Sequence, residues 1–306
     1  MTDLTSLTKE DITSLITLAE DIKQNPTNYS EAMKDKTLLM IFEKPSLRTM
    51  VSFSVGMTQM GGHAIYYDLE MSPWGKKETI VDTAKTASRY VDIIMARLFS
   101  HQDLIELADN ATVPVINGLT DFSHPCQVLA DLMTIQEKKG STGTIKLAYF
   151  GDSNNNVTTS LLFGCALMGI DMAIACPPEK DYRPSQNVIK KVKKITKTSA
   201  STITITANAD VAAQDADVIY TDSWMSYHIP YEMKEQRKKV FQPYQVNSKV
   251  MALAKKDAIF MNCLPAMRNM EQTAEVLDGP QSIVFDQAEN RLYMQKALLL
   301  KLLGIK

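Results

Sequence analysis

The chain has 306 residues, 45% of them hydrophobic and 22% charged, with a formal net charge of -2. At roughly 100–200 residues per domain this length predicts two domains. The near-neutral charge excludes a global basic field for nucleic acid or an anionic membrane. No run of about 18 apolar residues occurs, so no membrane-spanning helix is predicted. The opening segment from Met1 to Ile12 is polar and acidic, unlike a secretory signal, and lacks the Arg-rich bias of a transit peptide. Cys126, Cys165, Cys176 and Cys263 form no CxxC pair and no metal-ligand cluster, which predicts reduced thiols, a cytoplasmic location and no metal site.

Strand-like and helix-like runs alternate along the chain, the pattern of an α/β fold with parallel sheets. Apolar runs at Thr37–Phe42, Ala64–Tyr67, Asp92–Met95 and Val113–Ile116 predict four strands in the first half, with helical patterns at Ser52–Met60 and Asp82–Tyr90. A long helical pattern, Pro125–Lys138, closes that half, and Lys139-Gly-Ser-Thr-Gly143 reads as a stop and a loop. The second half restarts with Ile145–Phe150, then Gly-Asp-Ser-Asn-Asn-Asn and a helix from about Val157. Lys190, Lys191, Lys193, Lys194 and Lys197 read as a solvated helix face. Further strands are predicted at Met172–Ala175, Thr202–Thr206, Val218–Thr221 and Ile259–Met261, and a last helix at Ala288–Leu303.

The chemistry-bearing segments sit where predicted strands end, as ligand sites in parallel α/β sheets do. Ser46-Leu-Arg-Thr49 follows the first strand and opens a helix. A helix N-terminus offers free N–H groups and partial positive charge to a phosphate, and the Arg48 guanidinium matches phosphate oxygens bidentately. Alone, the same residues also read as a Ser cap with a surface Arg. Arg97 follows the third strand, and His124-Pro-Cys-Gln127 begins a helix with His124 and Gln127 on one face. An imidazole can donate to a developing oxyanion, and a Gln can hold an amide edge. Asn154–Asn156, Asp222-Ser-Trp-Met-Ser226, Asn262-Cys-Leu-Pro265 and Asp286-Gln-Ala-Glu-Asn-Arg291 supply polar groups in the second half.

Ser-x-Arg-Thr, His-Pro-x-Gln, Cys-Leu-Pro and Ala-Glu-Asn-Arg, in this order, resemble the aspartate/ornithine carbamoyltransferase family. Glu43-Lys44, Gly61-Gly-His63, Asp82-Thr-Ala84, Gly151-Asp152 with Asn154-Asn155, and Tyr244-Gln-Val246 sharpen the resemblance to its ornithine branch. The resemblance spans nearly the whole chain. It implies two doubly wound parallel-sheet domains: residues 1–140, completed by a returning helix 288–306, for carbamoyl phosphate, and residues 141–287 for the amino acid. It also implies a homotrimer, no cofactor, and transfer of a carbamoyl group to ornithine to give citrulline. In that reading Ser46, the Leu47 backbone, Arg48, Thr49, Arg97 and Arg291 hold the phosphate. His124 and Arg97 face the carbonyl oxygen, Gln127 and the Leu264 carbonyl hold the carbamoyl amide, and Trp74 reaches in from a neighbouring subunit. Asn155 binds the α-carboxylate of ornithine, and Asp222 and Ser226 bind its α-ammonium beside Tyr227. Cys263 positions the side-chain amine; a nucleophilic role would need an activating base.

Four departures from the family pattern stand out. Leu47 and Met50 replace a Thr and an Arg, Asn262 replaces a His, Tyr227-His228 replaces Met-Gly, and Met267-Arg-Asn269 replaces His-Arg-Gly. Trp74 and Arg268-Asn269 resemble relatives that act on N-acylated ornithine, so another amine (N-acylated ornithine, lysine or putrescine) stays open as acceptor. A non-catalytic paralogue that binds carbamoyl phosphate is a third reading. Lys76 and Lys77 are candidates for contacts across the trimer or for plain solvent exposure.

Overall fold

The computed structural model describes residues 1–71, 74, 77–140, 145–226 and 229–305. The chain divides into two compact units, Met1–Met133 with Glu289–Lys306, and Thr134–Ala288.

In the first unit, α1 (Lys9–Gln24) starts at a reciprocal cap in which Thr8 accepts from the Asp11 N–H and Asp11 accepts from the Thr8 N–H. There follow β1 (Thr37–Phe42), α2 (Leu47–Gln59), β2 (His63–Asp68), α3 (Ile80–Ala87), β3 (Ile93–Arg97), α4 (His101–Asn110), β4 (Val115–Leu119) and α5 (Pro125–Lys139), whose residues from Thr134 onward belong to the second unit. The strands form a parallel sheet in the order β2-β1-β3-β4. The chain leaves β1 for β2 on one side and returns to place β3 on the other, so the winding direction reverses between β1 and β3. The strand β3 is buried throughout, as a sheet covered on both faces requires. Ile41, Ile94, Ala96, Leu98, Leu104 and Leu107 belong to one core cluster.

The second unit runs β5 (Lys146–Phe150), α6 (Asn156–Met168), β6 (Asp171–Ala175), α7 (Gln186–Ser199), β7 (Ile203–Thr206), α8 (Ala209–Ala213), β8 (Val218–Thr221), α9 (Lys234–Phe241), α10 (Ser248–Leu253), β9 (Ile259–Met261) and α11 (Ala274–Leu277). Its parallel sheet has the order β7-β6-β5-β8-β9, reversing between β5 and β8. Phe150, Ile219, Trp224, Phe241 and Phe260 are buried in its core. On α7, Val188 and Val192 face inward while the five lysines are exposed, so the lysine run is a solvated face.

The last helix, α12 (Val284–Leu303), begins four residues before the sequence pattern places it. Its residues from Glu289 onward belong to the first unit, where Met294, Ala297, Leu298, Leu299 and Leu300 are buried. The chain thus forms two parallel-sheet α/β domains with a C-terminal helix, as the alternating pattern, the length and the family resemblance together predict. Among the described residues no helix is long and apolar enough to cross a membrane.

Candidate active site

Each sheet has its polar cluster at the carboxyl ends of the strands flanking the reversal, the place where open α/β sheets bind ligands. In the first unit the turn after β1 ends at Ser46, the N-cap of α2. Its hydroxyl accepts from the Thr49 N–H at 3.3 Å and donates to Thr49 Oγ1 at 3.1 Å. Leu47 is 70% exposed, so the hydroxyl lost at this departure costs no internal contact, and the first-turn N–H groups remain available. Arg97 is the last residue of β3 and is buried. Its carbonyl accepts from the Glu43 N–H at 2.9 Å, and the Glu43 carboxylate accepts from the Phe99 N–H at 2.6 Å. These two bonds tie the turn after β1 to the turn after β3.

His124 and Gln127 lie at the start of α5, where Pro125 at the first helical position gives up no needed donor. Arg291 on α12 joins them. Its guanidinium donates to Gln127 Oε1 at 2.6 Å, to Thr49 Oγ1 at 2.9 Å and to His124 Nε2 at 3.3 Å. A guanidinium cannot accept, so Nε2 is the acceptor and the proton of the neutral ring sits on Nδ1. Burial, then the charges of Arg291, Arg97, Lys44 and Arg48, push the His124 pKa well below its ordinary value. The ring is therefore neutral at neutral pH, a donor without a charge of its own. Gln127 is oriented from behind by Asp131, which accepts from Nε2 at 2.9 Å. The result is a cationic cluster of Arg48, Arg97, Arg291 and Lys44 at a helix N-terminus, a site for an anion.

In the second unit Asn155 caps α6, accepting from the Thr158 N–H at 2.8 Å, while its amide donates to Asp152 O at 2.7 Å and Tyr149 Oη at 3.0 Å. Asp222 follows β8 and is 9% exposed. It accepts from the Cys263 thiol at 3.1 Å, so Cys263 is placed as a donor to a carboxylate. Burial raises the Asp222 pKa, the Cys263 hydrogen bond opposes the rise, and Asp152 adds to it. Among the described residues no cation pairs with Asp222, and a buried carboxylate without a counter-charge calls for a cationic ligand. Leu264 has a left-handed backbone (φ 55°), and its N–H donates to Asn262 Oδ1 at 2.8 Å. Asn262, fully buried, also donates through its side-chain amide to Gln272 Oε1 at 3.2 Å, and its backbone N–H donates to Gln287 Oε1 at 3.0 Å. Ser226 is half-buried, its carbonyl accepting from Ile229 N–H. Tyr227, His228 and Lys76 lie outside the described residues.

Trp74 is packed into the core cluster of its own unit with Leu69 and Ala84, and Lys77 is exposed. Arg268 is bound by Asp278 through two bonds of 2.9 and 2.7 Å, and Asn269 (φ 64°) accepts from the Ala274 N–H at 3.1 Å. Both residues of that departure serve the local turn. Sequence reasoning did not single out Arg237, which sits buried on α9. It pairs with Asp152, donates to Trp224 O at 2.6 Å and stacks on Phe241 and Tyr182. Arg237 thereby links the turn after β5 to the turn after β8. Glu271 accepts from the Trp224 and Met267 N–H groups at 3.2 and 3.0 Å.

Residues 1–137 match the family model for the carbamoyl phosphate-binding domain of aspartate/ornithine carbamoyltransferases, and residues 143–302 match that for the Asp/Orn-binding domain. The chain is 49% identical to an ornithine carbamoyltransferase of Methanothermobacter thermautotrophicus over 295 residues, 96% of each chain. It superposes on the ornithine carbamoyltransferase of Pyrococcus furiosus with a TM-score of 0.95 and 46% identity, over 100% of this chain and 97% of the other. An N-acetyl-L-ornithine transcarbamylase shares the fold at a TM-score of 0.88 but only 29% identity, over 98% of both chains.

Proposed function

The chain belongs to the aspartate/ornithine carbamoyltransferase family, and we propose that it transfers the carbamoyl group of carbamoyl phosphate to the side-chain amine of ornithine, giving citrulline and phosphate. The observation that carries the acceptor assignment is Asp222, a buried carboxylate whose neighbour is a neutral thiol. A free α-ammonium would neutralise it; an N-acylated amine would leave the carboxylate buried against an amide.

In this reading Ser46, the Leu47 N–H, Arg48, Thr49 and Arg291 hold the phosphate. Arg97 bridges phosphate and carbonyl oxygen. Neutral His124 donates to that oxygen, while Gln127 and the Leu264 carbonyl hold the carbamoyl NH2. Asn155 takes the α-carboxylate, which requires its amide to leave Asp152 O or Tyr149. Asp222 and Ser226 take the α-ammonium, with Tyr227 beside them, and the Cys263 thiol orients the side-chain amine. The uncharged amine attacks the carbonyl carbon, its lone pair forming the C–N bond and sending the C=O pair onto oxygen. Collapse of the oxyanion breaks the C–O bond to phosphate, which departs with that electron pair and takes up the amine proton. Preorganised donors to such an oxyanion contribute about 3–4 kcal/mol each.

The exposed apolar side chains of Leu47 and Val51 on α2 and of Ile65 and Tyr66 on β2 support self-association, which we assign as a homotrimer. Trp74 serving a neighbouring copy's site belongs to the same proposal and requires it to leave its own core cluster. The four free cysteines support a reducing, cytoplasmic setting. Arg268 and Asn269, occupied by Asp278 and Ala274, give no support to an acylated acceptor.

The test is carbamoyl transfer by the purified protein to ornithine, N-acetylornithine, N-succinylornithine, lysine and putrescine, with phosphate release as readout. Turnover of ornithine well above the others is expected. Preference for another amine overturns the acceptor, and no turnover with any amine overturns the enzyme reading. Light scattering of the same sample reads the trimer.

A further inference from the structure

The turn after β9 carries Cys263 and Leu264, and the Leu264 φ of 55° puts its backbone in the left-handed region. A residue with a Cβ persists there only where its surroundings hold it. The holding group is the Asn262 side chain, which accepts from the Leu264 N–H at 2.8 Å and donates to Gln272 Oε1 at 3.2 Å. Gln272 in turn donates through Nε2 to the Met267 carbonyl at 3.1 Å. In the first turn of α12, Gln287 accepts from the Asn262 N–H and donates to Tyr220 Oη at 3.2 Å. Asn262, Gln272 and Gln287 are all fully buried. A backbone donor at Leu264 and a backbone acceptor at Met267 leave the two amides between them one orientation each. The backbone of Gln272 is itself fixed. On one side Glu271 O accepts from the Val246 N–H at 3.0 Å, and on the other the Thr273 N–H donates to Val246 O at 2.9 Å.

We infer that Gln272 is a positioning residue for carbamoyl transfer: through Asn262 it fixes the turn that presents the Leu264 carbonyl and aims the Cys263 thiol at Asp222. The inference rests on the ornithine reading above. Gln272 touches neither substrate in that reading and acts only through its neighbour. Asn262 and Gln272 do not ionise, so the turn keeps its shape across the pH range in which an amine loses its proton. The titratable groups around the two amides are Cys263, Glu271 and the Arg268–Asp278 pair on the same segment, with Tyr220 and Asp222 from β8 and the turn after it. None of them takes part in the bond from Asn262 to Gln272 or in that from Gln272 to Met267.

The experiment compares full-length wild type, Gln272→Met and Gln272→Glu, all assayed well below the lowest of their melting temperatures. Gln272→Met keeps much of the volume and removes both bonds. Its kcat/KM for ornithine should fall roughly 10- to 100-fold. Inorganic phosphate, whose proposed ligands lie in the first unit, should still bind it within about twofold of wild type by calorimetry. Gln272→Glu separates orientation from packing. In its neutral form the introduced carboxyl reproduces the amide, accepting from Asn262 and donating its O–H to the Met267 carbonyl. Once ionised it sets an oxygen against that carbonyl, so burial and the facing oxygen raise its pKa above the ordinary carboxyl value. Its kcat/KM relative to wild type should therefore stand near one at about pH 5.5 and fall by up to about tenfold per unit as pH rises through that pKa. The ratio for Gln272→Met should not change with pH. The inference is overturned if Gln272→Met turns over ornithine within about twofold of wild type, or loses phosphate affinity in step with kcat/KM. A Gln272→Glu ratio that is the same at every pH overturns it too. A wild type that transfers to no amine overturns the functional reading and this role with it, whereas an active wild type with an unaffected Gln272→Met overturns the role of Gln272 alone.

Discussion

Replacing Arg237 with Met tests the idea that one buried guanidinium holds two loops of the second unit. Asp152 accepts through Oδ1 from the Asn154 N–H at 3.0 Å and through Oδ2 from Arg237. Removing the guanidinium leaves that carboxylate buried with a single neutral donor and also frees the Trp224 carbonyl. Breaking one partner out of a buried pair costs about 3–5 kcal/mol. Met fills much of the volume between Phe241 and Tyr182, so little of that cost arises from a cavity. In a unit of this size 1 kcal/mol corresponds to about 2–4 °C of melting temperature, which gives a fall of roughly 6–20 °C. Urea unfolding of Arg237→Met, Asp152→Asn and the double variant measures it. The double variant should recover at least about 1 kcal/mol relative to Arg237→Met, because an amide needs no counter-charge. Trp224 lies two residues beyond Asp222, so below its melting temperature Arg237→Met should also raise the ornithine KM and spare that for carbamoyl phosphate. A loss under about 1 kcal/mol for the single variant, or a double variant no better than it, would refute the reasoning.

Asp222→Asn should separate stability from function. Burial raises the folded pKa of Asp222 above its unfolded value, so the ionised carboxylate destabilises the fold, and stability declines as pH rises from about 3.9 through the folded value. At neutral pH the Asn variant should unfold at equal or higher urea than wild type, while its ornithine KM rises roughly 10- to 100-fold; steady-state kinetics and urea curves on one preparation decide it. Gly151 has a φ of 113°, and an added Cβ would stand 2.8 Å from the buried Trp224 Nε1. Gly151→Ala should cost at least about 1–3 kcal/mol by the same unfolding assay, and near-wild-type stability would show that the turn relaxes freely. Asn262→His restores an imidazole where an amide now bonds Leu264 N–H and Gln272. Its pH–rate profile should gain a limb in the neutral range, and superimposable profiles would remove position 262 from the functional differences.

The strands at Thr37–Phe42, Val218–Thr221 and Ile259–Met261 were legible to the residue, because a parallel strand covered on both faces is an uninterrupted apolar run. The fourth strand, predicted at Val113–Ile116, lies at Val115–Leu119. Asn117-Gly118 has the composition of a turn, yet the Asn117 amide donates to Thr2 O at 2.7 Å, and Gly118 leaves room for the Met95 side chain. Of the site, the groups gathered by Arg291, namely Thr49, His124 and Gln127, came from motifs with distinctive spacing. Arg237 carries no such signal. Arg237 lies among Lys234, Lys238 and Lys239 and reads like its solvated neighbours; only the packing of α9 against Trp224 and Asp152 sets it apart. Burial of a single basic residue is decided by tertiary structure, which a linear pattern does not encode.

Arg291 lies 167 residues after His124, and this separation bears on how the protein is made. At about 5–20 residues per second of synthesis, the ribosome delivers Arg291 roughly 8–33 s after His124. Throughout that interval the first unit lacks the helix that carries the buried Met294, Ala297, Leu298 and Leu299, and its anion cluster lacks one guanidinium. The nascent first unit therefore meets any anion without Arg291, and a growing chain must keep the surface that α12 will cover from aggregating, by its own collapse or by a chaperone, until the last segment emerges.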